Sequence, residues 1–112
     1  MRKKWTKKAI MLALIASLTA ASTSMAAVGV DCNVSKSGLT KKATGIGYSC
    51  AVAGAIIYGT NGSYLDGAET AYYNTNATRF AYASYTGLSA ADYGYAYALD
   101  TAGNSAYTRA YY

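Results

Sequence analysis

Asp66 and Glu69 stand three positions apart, and two neighbouring carboxyl groups are what acid–base cleavage of a glycosidic bond needs. They are two of only five carboxylates after residue 26, with Asp31, Asp92 and Asp100, so such a neighbourhood also arises by chance. The chain has no histidine, which excludes Ser-His-Asp and Cys-His relays. Cys32 and Cys50 have no third cysteine beside them, so they read as a disulfide in an oxidising compartment and not as a metal or redox centre. Asp100 and Asn104 bracket a loop with oxygen ligands for a weak cation, but both are ordinary turn formers, and the turn is the simpler reading. The expectation is a protein without catalytic residues, cofactor or metal.

What remains is aromatic. Ten of the thirteen tyrosines lie between Ala68 and Tyr112. Tyr93, Tyr95, Tyr97, Tyr107, Arg109 and Tyr111 are the candidate binding residues, because flat rings in a row stack on sugar faces while Tyr hydroxyls and a guanidinium hydrogen-bond polar groups. The competing reading is that tyrosine fills the core of a domain poor in Leu, Ile and Phe.

The elements that position these residues are strands. In Tyr93-Gly94-Tyr95-Ala96-Tyr97-Ala98-Leu99 every odd position is large and every even one small, a period of two. A five-residue loop at 100–104 pairs Leu99 with Ser105, Tyr97 with Tyr107, Tyr95 with Arg109 and Tyr93 with Tyr111, and gathers the large residues on one face. A slip of one residue would scatter them. The same parity gives strands at 28–34 and 43–53, with Cys32 and Cys50 both on the bulky face, and Gly54 reads as a bend or bulge. Asn61-Gly62 predicts a hairpin with a two-residue loop, pairing Tyr58 with Leu65. Asn74-Thr75-Asn76 predicts another, pairing Tyr73 with Ala77 and placing Glu69 diagonal to Arg79. Residues 87–92 form a connection.

The fold class is therefore all-β: a small antiparallel β-sandwich or partly closed barrel of about seven short strands in meandering hairpins. A face of Gly and Ala would let two sheets approach closely, though parity alone does not say which face is inward.

Residues 1–26 carry a basic start (Arg2, Lys3, Lys4, Lys7, Lys8), an apolar run from Ala9 to Leu18 and the small-residue end Ser24-Met25-Ala26. This is the pattern of a cleaved signal peptide, and the apolar run is shorter than the roughly 18–20 residues that span a bilayer. Residues 27–112 then form a single secreted β domain with no membrane span. It keeps Lys36, Lys41, Lys42, Arg79 and Arg109 against the five carboxylates, so its formal charge is zero and nothing favours a nucleic-acid partner. The lysine-rich signal points to a bacterial source. The function expected is surface contact through the tyrosine face, by a bacteriocin-like antagonist or a binder of cell-envelope glycans, outside the cell or on its envelope. Two alternatives are a surface protein assembling through edge strands, for which alternating Ala and Tyr and the absence of proline are suited, and a small hydrolase using Asp66 and Glu69.

Overall fold

The computed structural model describes residues 27–112, and the expected signal peptide, residues 1–26, lies outside them. Among the described residues the fold is all-β, with seven strands: β1 (Gly29–Ser37), β2 (Thr40–Cys50), β3 (Val52–Gly59), β4 (Tyr64–Glu69), β5 (Ala77–Thr86), β6 (Ala91–Leu99) and β7 (Ser105–Tyr111). Every pairing is antiparallel. The first sheet has the order β1-β2-β5 and the second β4-β3-β6-β7, and the two face each other in a sandwich-like arrangement.

The small residues face inward. Ala53, Ala55, Ala96 and Ala98 of the second sheet are fully buried, Ala55 against Ala43, Ala81 and Ala83 of the first, Ala53 and Ala98 against Cys50, and Ala96 over Gly45. Glycine sets the spacing between them. A Cβ added at Gly45 would lie 2.4 Å from the carbonyl oxygen of Gly54 on the opposite sheet, so backbone meets backbone with no side chain between. Ile57 belongs to the cluster of Ala43, Ala55, Ala81 and Ala83, and Val34, Leu65, Tyr85 and Tyr112 pack against it.

The register of β6 and β7 is the one parity selects, with Tyr93 opposite Tyr111, Tyr95 opposite Arg109, Tyr97 opposite Tyr107 and Leu99 opposite Ser105. The turn is braced by buried Asp100, whose carboxylate accepts the amides of Ala102 and Asn104 at 2.9 and 2.8 Å and the Asn104 side-chain amide at 3.1 Å. Its oxygens are occupied by the loop's own donors, as the turn reading requires.

Elsewhere the structure corrects local expectations. The hairpin at Asn61-Gly62 forms, but Gly59 N–H bonds Ser63, Gly62 adopts φ +79, and the loop is one residue longer. Tyr58 therefore faces Tyr64, and a bulge at Leu65 restores the expected register at Ile57 and Asp66. The strand expected at 43–53 is cut at Ser49, which has φ +53. There the chain leaves the first sheet, and Ala51 N–H bonds Leu99 of the second. Gly54 is neither bend nor bulge and sits inside β3.

The hairpin across Asn74-Thr75-Asn76 does not exist. β4 pairs with β3, β5 pairs with β2, and residues 70–76 cross between sheets. Arg79 fastens that crossing: its Nε donates to the Cys50 carbonyl at 2.9 Å, one Nη to the Thr75 carbonyl at 2.7 Å, and its guanidinium lies 4.2 Å from the Tyr73 ring centre.

The cysteines are free, which corrects the expected disulfide. Cys32 stands opposite Gly45 while Cys50 ends β2 five residues further on. That separation is roughly 15 Å along a strand, against a limit near 7 Å for a bridged pair. Cys50 also departs from the expected parity: Ile46 and Tyr48 face outward, and the break at Ser49 turns Cys50 inward. Cys50 donates weakly to the Ala77 carbonyl, and burial raises both thiols above their ordinary pKa.

Candidate binding face

With the small residues turned inward, the large ones cover the outer face of the second sheet. β3 contributes Gly54, Ile56 and Tyr58; β6 contributes Tyr93, Tyr95 and Tyr97; β7 contributes Tyr107, Arg109 and Tyr111; β4 adds Tyr64 and Glu69. Seven tyrosines thus share one face with Arg109, and all six residues named from the sequence are on it.

The rings lie down on the sheet and touch in series. Tyr111 and Tyr93 have centroids 5.6 Å apart, Tyr93 and Tyr58 5.2 Å, Tyr58 and Tyr95 6.4 Å, Tyr95 and Tyr107 6.1 Å, and Tyr95 and Tyr97 6.3 Å. Tyr64 closes the row edge-on to Tyr58. Ile56 lies beneath them with no exposure at all, so this outer layer forms a second apolar cluster.

Tyr97 is the fixed point of the layer. It is 1 % exposed, and its ring passes directly over Gly54, where an added Cβ would come within 2.1 Å of the ring. Glycine at 54 is what lets the side chain cross β3 and donate its hydroxyl hydrogen bond to Glu69 on β4. Burial pushes the Glu69 carboxyl up to about 7, only partly offset by that bond. The Tyr97 hydroxyl is raised strongly, by burial first and by the neighbouring carboxylate second. Tyr95 is raised to about 12 by burial and by the adjacent Tyr107 and Tyr58.

Exposure grows toward the β7 edge, where Tyr107 and Tyr111 are 58 % and 61 % exposed. Arg109 stands between them, its guanidinium 4.6 Å from the Tyr93 ring centre and one Nη 3.4 Å from the Tyr111 hydroxyl. The face is therefore a rigid floor with an open, hydrogen-bonding rim.

The chain was compared with known proteins. No family model, curated protein or solved structure matches it.

The six sequence candidates divide into two roles. Tyr107, Arg109 and Tyr111 present free surface, Tyr93 and Tyr95 are half-buried, and Tyr97 is core. The sequence does not by itself put Tyr58, Tyr64 or Ile56 on this face, although the parity of Gly54, Ile56 and Tyr58 carries the signal for β3, and it offers Glu69 only as half of a carboxylate pair. The carboxylate pair does not assemble. Glu69 lies on the outer face with Tyr97, while Asp66 pairs opposite inward-facing Ile57 and accepts the Ser84 amide of β5 at 3.0 Å.

Proposed function

We propose that this is a small exported, non-enzymatic protein that acts by contact, and that its ligand is a glycan of the bacterial cell envelope held against the tyrosine face of the second sheet. The observation that carries this reading is the graded layer itself. Tyr97 and Ile56 immobilise the rings beneath, and Tyr107, Arg109 and Tyr111 remain open at the rim. Rings fixed in advance lose little entropy on stacking against a sugar face, and a guanidinium between two hydroxyls adds directional hydrogen bonds. A bacteriocin-like action would follow if the envelope contacted belongs to a competitor. Export rests on the pattern of residues 1–26.

Titration of the labelled protein with soluble peptidoglycan fragments, followed by NMR, tests the reading. Shifts should cluster on Tyr93, Tyr95, Tyr107, Arg109 and Tyr111 and vanish in Tyr107→Ala/Tyr111→Ala. Shifts elsewhere, or none, would overturn it.

A further inference from the structure

The tyrosine face leaves unused the end of the molecule at which β1 turns into β2. β2 has 11 residues and so spans roughly 36 Å, longer than either short axis of a 45 × 21 × 20 Å molecule, so the strand ends form two poles. One pole carries the β1–β2 turn and the 87–90 loop, and both put a leucine into solvent: Leu39 is 52 % exposed and Leu88 88 %. These are two of the four leucines after residue 26, in a domain otherwise short of large aliphatic residues.

The two loops are tied together. Gly87 N–H donates to the Leu39 carbonyl at 3.2 Å, the Thr40 and Thr86 hydroxyls meet at 2.8 Å, and Lys41 Nζ donates to the carbonyls of Gly87 and Ser89 at 2.8 and 3.0 Å. The leucines therefore project from a braced tip.

Charge gathers around them. Lys36, Lys41 and Lys42 are three of the five cations after residue 26, and Lys36 stands directly opposite Lys41 across the ladder. Like charges so placed are destabilising unless something else compensates. Lys41 is buried with its ammonium group on those carbonyls, while Lys36 and Lys42 are exposed. Two acidic residues stand at this pole, Asp92 at the start of β6 and Asp66, whose carboxylate is held by the amide of Ser84 opposite Lys42, whereas Asp31 and Asp100 belong to the other pole.

We infer that this pole, Leu39 and Leu88 flanked by the exposed Lys36 and Lys42 and braced from within by Lys41, is an anchor for anionic lipid bilayers. Exposed aliphatic side chains rimmed by lysine are the composition of an interfacial anchor: the leucines enter the acyl boundary and the ammonium groups stay at the headgroups. A protein partner is the poorer fit, because protein interfaces favour Tyr, Trp and Arg at their centres and are depleted in Lys. Such an anchor would stand the molecule on end and leave the tyrosine face along its side.

The test is NMR of the full chain mixed with small bicelles of phosphatidylcholine, with and without phosphatidylglycerol. Broadening at residues 36–42 and 86–90, several-fold stronger with phosphatidylglycerol, is expected. Vesicle partitioning should fall about tenfold in Leu39→Ser/Leu88→Ser and about fivefold for each of Lys36→Gln and Lys42→Gln. All four side chains are exposed, so near-ultraviolet dichroism should match the unchanged protein. Broadening confined to residues 1–26, equal response to neutral bicelles, or leucine variants that partition normally would overturn the anchor. So would shifts of the same size with soluble polyphosphate. The reporters share no residue with the tyrosine face, so failure here leaves the glycan reading untouched, and the reverse also holds.

Discussion

The two faces of the second sheet solve the same problem with opposite side chains. On the inner face Ala53, Ala55, Ala96 and Ala98 are buried because another sheet lies on them at backbone distance. On the outer face Ile56 and Tyr97 are equally buried because neighbouring rings lie over them. The comparison teaches that burial here has two sources: close approach of backbones, and a layer of aromatic rings with no second sheet above it. Large side chains in most two-sheet folds fill the space between the sheets, yet the tyrosines of β3, β6 and β7 are outside it.

The inner face should break first. Gly45→Val puts a branched side chain where the Gly54 carbonyl already stands, and only a shift of one whole sheet relieves it. A loss of about 3 kcal/mol or more is expected in urea unfolding, beyond an ordinary overpacked core, because the obstacle is backbone.

The outer face should respond to pH. Glu69 has a folded value near 7, above the ordinary 4.5 it regains on unfolding. Between those values the folded chain holds a proton that the unfolded chain has released, so stability is complete below about pH 4.5 and declines as pH rises through 7. The expected loss from pH 5 to pH 8 is on the order of 1–2 kcal/mol after allowance for partial solvent exposure, a fall in Tm of roughly 5–10 °C. Glu69→Gln should flatten that profile, and a profile unchanged by the substitution would detach Glu69 from the pH response.

The rim should respond least. Tyr107→Ala removes a ring that is mostly in solvent and should change stability by less than about 1 kcal/mol. A larger effect in thermal unfolding would show that the ring layer is held together from its edge and not from Tyr97.

Legibility in the sequence follows the same division. Parity fixes which residues share a face, so the β6–β7 ladder and the gathering of Tyr93, Tyr95, Tyr97, Tyr107, Arg109 and Tyr111 could be read directly. Parity is silent about position along a strand, which is why Cys32 and Cys50 pointed to a bridge that their separation forbids. Turn residues report where a chain bends and not which sheet it joins, so Asn74-Thr75-Asn76 suggested a hairpin where the chain crosses to the other sheet. Gly54 was misread for a related reason. Its meaning depends on Tyr97 of the neighbouring strand, 43 residues away, and on Glu69 beyond it.

The backbone-to-backbone meeting at Gly45 and Gly54 has a mechanical consequence. An interface of glycine and alanine has almost no side-chain rotamers to freeze on folding and few irregular gaps between groups. Hydrostatic pressure unfolds proteins largely by eliminating internal voids, so the zone between the sheets offers it little to act on. Compression should be felt first in the ring layer outside, where the rings meet at interplanar angles from 29° to 87° and have no second sheet above them.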